Sequence, residues 1–325
     1  MKKHLLAGAA IVALATALAY SFWGARPEAT SSDGRPKVIA TIFPPYDFAR
    51  AIGGDLTNLS MLLKPGMESH SYSPSPQDII DIQNCDLFIY IGGENDRWAD
   101  RIIESFDGEK RPRVLKLIGC VSPVEEERVE GMQEEDGHDA GAEEDHAHEA
   151  EYDEHIWTSP RNAAKMAAAV RDGLILIDRQ NRPVYEKNAK MYIEELEKLD
   201  GDFRRTAGGG SRRRLVFGDR FPFRYLADEY GLAYSAAFPG CAAESEANAA
   251  TVAYLIDKVK KEKIPVVFHI EMSNEKTADA ICQETGARKR LLHSCHNLSR
   301  TEFEAGATYI SLMRKNLESL KEALN

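Results

Sequence analysis

Residues 159–206 carry a long helical pattern that splits the chain, and each side of it repeats one rhythm of short apolar runs alternating with helices. Before it, Lys37–Phe43 (KVIATIF), Leu56–Leu63, Asp86–Ile91 (DLFIYI) and Arg113–Ile118 read as strands, separated by helices at Tyr46–Ile52, Pro76–Asn84 and Trp98–Phe106. After it, Leu215–Gly218, Ala233–Phe238, Pro265–Glu271 (PVVFHIE) and Lys289–Leu292 read as strands. The helices Arg224–Tyr230, Ala247–Lys261 and Lys276–Thr285 lie between them, and Glu304–Leu324 closes the chain. Short continuous apolar runs bounded by Gly and Pro are strands buried on both faces, and strands alternating with helices build parallel sheets. The expected fold is therefore α/β: two lobes, each with a mostly parallel sheet flanked by helices, joined by one long rigid helix.

The connection has its own punctuation. Asn162–Ile177 is helical by pattern, Asn181-Arg182 interrupts it, and Pro183 restarts it at a first-turn position. Tyr185, Tyr192, Leu196, Leu199 and Phe203 then mark one helical face. That second helix, 183–206, spans roughly 35 Å at 1.5 Å per residue. Expected divisions are a first lobe over 37–158, the helical connection over 159–206 and a second lobe over 207–325. One helix between lobes allows little hinge motion.

Charge is unevenly spread. The 325 residues hold 41 Lys+Arg and 52 Asp+Glu, a formal net charge of −11. Residues 125–154 carry 15 acidic side chains against Arg128, which leaves the remainder nearly neutral. A body without a basic stripe excludes nucleic acid as a partner class.

The N-terminus reads as an export signal. Lys2 and Lys3 precede an apolar stretch from Leu5 to Ala19 that ends in an A-x-A site, so residues 1–19 are a signal peptide or, since apolar character reaches Trp23, a retained anchor. Residues 20–36 form a tether, and the body is expected outside the cytoplasm, in the periplasm or on the outer face of the cell membrane. No Cys precedes Cys85, so no lipid-bearing N-terminal Cys is available. Five Cys in an exported chain permit disulfides and leave at least one thiol over.

Nine His are the most telling residues. His70 follows the turn Pro65-Gly66, His155 follows the acidic tract, and His293 and His296 follow the last strand. His269, within a strand, reads as a packed core residue. A lone loop His is ordinarily a surface or capping residue, and a charge run is ordinarily a solvated face. Yet imidazoles from separate loops at strand ends are a usual way to hold a borderline-soft divalent metal. His138, His146 and His148 within the acidic tract make a weak auxiliary trap for Zn²⁺ or Cu²⁺.

Several pieces together resemble the metal-binding receptors of zinc/manganese ABC importers, the cluster A-I family of ZnuA-type and TroA-type proteins. They are Phe43-Pro44-Pro45-Tyr46-Asp47, P-G-x-x-x-H-x-Y-x-P around His70, the charged His-containing loop, H-x-W-x-S-P around His155, the linking helix and Tyr309–Leu320. The resemblance covers essentially the whole chain after its signal. It implies a two-lobed periplasmic-binding fold that captures a metal between its lobes and delivers it to a membrane permease driven by an ATPase. It also implies a monomer that is not an enzyme.

Four ligands are implied, and His70 and His155 match the first two. At the third the family pattern V-F-H-D-A-Y meets Val216-Phe217-Gly218-Asp219-Arg220-Phe221, so Gly218 stands where a ligand is expected. At the fourth, L-D-P-L meets Leu292-His293-Ser294-Cys295. The expected sphere is His70, His155, His293 and His296, with Asp219 as a substitute. Such a nitrogen-rich set suits Zn²⁺ better than Mn²⁺. Zinc members often carry a bridge in the second lobe, for which Cys241 and Cys295 are the expected pair; in the rival reading Cys295 is a thiolate ligand. Two other function classes remain open at this point: a receptor for an organic ligand of siderophore or cobalamin type, and a zinc metallohydrolase.

Overall fold

The computed structural model describes residues 34–68, 72–106, 108, 111–132, 152–242 and 246–325. The export segment, most of the tether, His70, and the part of the acidic tract holding His138, His146 and His148 lie outside them.

In the first lobe, β1 (Lys37–Ala40), β2 (Asn58–Met61), β3 (Leu87–Tyr90) and β4 (Arg113–Lys116) form a fully parallel sheet in the order β2-β1-β3-β4. The second lobe repeats that order: β5 (Arg214–Phe221), β6 (Ala233–Pro239), β7 (Val266–His269) and β8 (Arg288–Leu291) run β6-β5-β7-β8, again all parallel. In each sheet the first strand is central, and the chain leaves it to one side before returning to the other. The carboxyl ends of β1 and β3, and of β5 and β7, are therefore switch points, where an open parallel sheet leaves a crevice.

Helices cover the sheets. The first lobe carries α1 (Phe43–Gly53), α2 (Pro76–Gln83) and α3 (Arg97–Ser105). Pro44 and Pro45 occupy the first turn of α1, where a missing N–H costs nothing, so the helix starts three residues earlier than its sequence pattern suggests. Ser75 and Asp78 close a capping box on α2. The connection is α4 (Pro160–Ile177) followed by α5 (Arg182–Gly209), whose 28 residues reach about 42 Å. Helix α5 buries Tyr185, Leu196, Leu199 and Phe203, four of the five residues on its expected face, while Tyr192 is half-buried. It packs on α4, α1 and α6 (Arg224–Tyr230). The second lobe adds α7 (Ala249–Glu262) and α8 (Lys276–Thr285).

Two boundaries depart from the sequence reading. The closing helix is two helices, α9 (Arg300–Glu304) and α10 (Tyr309–Leu324). Gly306 at φ 73° breaks the run, and Thr308 opens α10 with a capping box to Ser311. Strand β5 continues past Gly218 to Phe221, through a register shift between Phe217 and Arg220. One continuous core runs from Val38 and Phe48 through Leu196 and Phe203 to Phe217, Tyr309 and Leu320, so both lobes share the connecting helices as a common floor. Buried Asp47 ties that floor together, accepting from Tyr192 Oη at 3.2 Å, the Tyr309 N–H at 2.9 Å and Arg50 at 2.5 Å. Among the described residues no helix is long and apolar enough to cross a membrane.

Candidate metal centre

Loops from the strand ends of both sheets meet between the lobes. The cavity there is lined by Glu68 beyond β2, His155, Arg220 at the end of β5, Gly240 beyond β6, Glu271 beyond β7 and His296 beyond β8.

His155 is fixed from both ends. It leads into a single 3₁₀ turn, Ile156–Thr158, and accepts at its carbonyl from Thr158 Oγ1 at 2.8 Å. One oxygen of buried Asp153 accepts from the His155 backbone N–H at 2.8 Å and from ring Nδ1 at 3.0 Å. That contact holds the ring proton on Nδ1 and puts the lone pair on Nε2, the arrangement that orients a metal-binding imidazole. Burial disfavours the charged ring, but Asp153 and Glu154 outweigh it and raise the His155 pKa above its ordinary value.

His296 stands edge-on to His155, with ring centroids 5.5 Å apart at 80°, and Trp157 packs edge-on against both. Its loop is anchored by Glu271, whose carboxylate accepts from the Ser294 N–H at 2.7 Å, Ser294 Oγ at 2.5 Å and the His296 N–H at 3.2 Å. Bonds across the cleft hold that loop to the first lobe. Trp157 Nε1 donates to the Ser294 carbonyl at 2.8 Å, and the Phe43 N–H to the His296 carbonyl at 3.4 Å. Asn297 Nδ2 donates to the carbonyls of Lys64 and Met67, both at 2.9 Å, and the Gly66 N–H to the Leu298 carbonyl at 2.8 Å. The chain leading toward His70 is thus pinned beside His296.

The first-lobe wall is rich in buried carboxylates. Glu154 accepts from the Asn95 N–H at 3.1 Å and its Nδ2 at 2.6 Å. Gly93 is needed there, since a Cβ at that position would lie 2.5 Å from Glu154 Cβ. Burial raises the Glu154 pKa against the pull of His155 and Asn95. Burial, with Glu154 adding to it, pushes Asp96 up to about 7. Asp96 and Glu154 line a neighbouring cavity together with His296 and Trp157, and with Asp153 against the His155 ring they make a region that favours a cation.

The structure separates other expected donors from this cluster. His293 Nδ1 accepts the Cys295 N–H at 2.9 Å. Its Nε2 has no hydrogen-bond partner among the described residues and faces Glu302 at 3.8 Å. Asn316 grips both its backbone groups. His293 therefore sits behind the cavity wall, with one lone pair already committed. Asp219 is likewise engaged, accepting the N–H groups of Arg220 at 2.8 Å and Ile270 at 3.2 Å, which ties β5 to β7. Gly218 does not face the cleft. A Cβ there would lie 2.5 Å from the Ala278 backbone, so Gly218 is what lets α8 pack against β5. His269, at the end of β7, is half-buried, with its ring 3.7 Å from Glu275.

The cysteines also differ from expectation. All five are free thiols, so no bridge joins Cys241 to Cys295. Cys295 is fully buried, with its Sγ 3.7 Å from the His293 carbonyl. Cys241 lies elsewhere, beside His155 and Glu154. Sequence reasoning also missed Glu68, Glu154, Arg220 and Glu271. Glu154 and Asp153 were hidden in an acidic tract whose other described members are largely exposed. Glu271 carried one signal, a lone acid directly after the apolar run VVFHI.

A family model described as zinc-uptake complex component A, periplasmic, matches residues 38–323. The zinc-binding lipoprotein AdcA of Streptococcus pneumoniae is 32% identical over 291 residues, 90% of this chain and 56% of the relative. The chain thus spans about half the length of the AdcA relatives it matches. The high-affinity zinc uptake system protein ZnuA of Bacillus subtilis is 31% identical over 296 residues, 91% of this chain and 90% of the relative. Among solved structures, the Zn(II)-bound ZnuA-like domain of Streptococcus pneumoniae AdcA superimposes with a TM-score of 0.73 at 29% identity, covering 90% of this chain and 99% of that domain.

Proposed function

The chain belongs to the family of the periplasmic zinc-uptake component A, and from that premise we propose that it is the extracytoplasmic receptor of a metal importer, binding Zn²⁺ between its lobes. The observation that carries this reading is the meeting of His155 and His296 in a wall of buried carboxylates, with Asp153 orienting the His155 ring. His155 and His296 bind the ion through ring nitrogen, and His70, outside the described residues, is the further imidazole ligand that the family resemblance implies. His293 supports the site from behind by shaping the Cys295 turn. Imidazole donors in a closed site favour Zn²⁺ over Mn²⁺, which takes carboxylate and water.

The protein hands its ion to a permease powered by an ATPase and works as a monomer without catalysing a reaction. An organic chelate is the weaker reading. The cavity encloses only about 20 Å³, far below the roughly 300–1,000 Å³ of small-molecule sites. Cross-lobe hydrogen bonds at Trp157 and Asn297 further limit its opening.

Zinc titration of the purified chain, with hydrolase activity as a control, tests the function. One tight equivalent and no zinc-dependent hydrolysis is expected. A deletion variant lacking residues 133–150 should keep the tight equivalent and lose only weaker ones, because such acidic His tracts bind metal loosely. Loss of the tight equivalent on that deletion would move a primary ligand into the tract.

A further inference from the structure

We propose that Cys241 is a ligand of the bound metal, making this a mixed imidazole–thiolate site. The inference rests on the zinc reading of the cleft and names one of its donors.

Strand β5 cannot supply the third imidazole. Position 218 is filled by the approach of α8, and the next residue turned toward the cleft is Arg220, whose guanidinium lies 3.4 Å from Glu68. A donor from the second lobe must come from another strand end. The loop after β6 runs close against His155: a Cβ at Gly240 would lie 3.3 Å from His155 Cε1 and 2.9 Å from the Phe221 carbonyl, so only glycine permits that approach. The following residue is Cys241. Its Sγ, a His155 ring nitrogen and a Glu154 carboxylate oxygen all lie within 4.8 Å of one another.

The loop is held in that position from two sides. The Cys241 N–H donates to Glu126 at 2.8 Å, and Arg220 Nη1 to the Ala242 carbonyl at 3.2 Å. The three donors come from both lobes, with Glu154 and His155 on one and Cys241 on the other. Zinc takes N and O at about 2.0–2.2 Å and thiolate S at about 2.3 Å, and three donors already gathered within 4.8 Å of one another can close around it with little movement. The thiol proton passes to solvent as the S–Zn bond forms, with no change of oxidation state. A thiolate also sharpens the preference for zinc over manganese.

Co²⁺ replaces Zn²⁺ in the full chain as a spectroscopic probe. One equivalent is expected to give a near-ultraviolet sulfur-to-cobalt charge-transfer band, lost in Cys241→Ser and kept in Cys295→Ser. Cys241→Ser should weaken zinc binding by more than the roughly 10- to 100-fold typical of losing an outer partner. Tight Co²⁺ binding without that band, or a band lost in Cys295→Ser instead, overturns the Cys241 assignment and leaves the zinc reading standing. Absence of any tight Co²⁺ or Zn²⁺ binding overturns both. Should Cys241→Ser fail to fold, alkylation of the unmodified chain decides: zinc is expected to protect Cys241, and equal labelling with and without zinc contradicts the proposal.

Discussion

Asp153 and His155 show how one pair of side chains sets the chemistry of the cleft. The carboxylate accepts from both the backbone and the ring of His155, so replacing it should disturb the ring's aim without opening the core. Asp153→Asn is expected to weaken zinc binding roughly 10- to 100-fold, the usual cost of losing an orienting partner, with the thermal midpoint of the metal-free protein little changed. Isothermal titration of the two proteins checks this. Glu302 gives the clearest pH effect. His293 contributes most to holding its pKa down at about 2, with Ser299 assisting against burial. A depressed carboxyl stabilises the fold above its unfolded pKa of about 4.3, and that gain is lost as pH falls through the folded value. Glu302→Gln should therefore flatten the acid limb between about pH 4.5 and 2, an effect of at most about 2 kcal/mol at this partly exposed site. Chemical denaturation across that range measures it.

Elements were legible where pattern alone decides them and less so where packing does. Lys276–Thr285 and Arg224–Tyr230 read from the sequence at their observed limits, since Gly286 and Gly231 stop them in left-handed turns. The closing helix did not, because its apolar periodicity runs straight through the break that Gly306 imposes. Strand β5 was read as ending at Gly218, a residue that ordinarily ends strands. Here glycine serves helix packing instead, and nothing local could reveal Ala278 sixty residues away. The same ambiguity made Gly218 look like a missing ligand. Gly218→Ala should destabilise the fold by about 1–3 kcal/mol through overpacking, while leaving zinc stoichiometry unchanged. Urea denaturation and zinc titration of that variant measure the two effects separately. A variant as stable as the parent would mean that α8 shifts freely on β5.

At the scale of the whole molecule, the two-lobed plan and the linking helix followed from the alternation of strands and helices. The motifs around His70 and His155 pointed to the metal-receptor family. The inner composition of the site did not follow, because burial decides it: Asp153 and Glu154 are enclosed, whereas Glu125 and Glu130 of the same tract are exposed. Shared core packing on α4, α5 and α10, with cross-lobe bonds at Trp157 and Asn297, makes the cleft a nearly finished site. In that site, on the proposed reading, His155 and His296 together hold one Zn²⁺ between the lobes. Zinc competition against a chromogenic chelator, run on the parent chain, His155→Ala and His296→Ala, tests this most directly. One tight equivalent in the parent, lost or weakened by orders of magnitude in each variant with the fold intact by circular dichroism, is the predicted result. Variants that compete for zinc as well as the parent would contradict it.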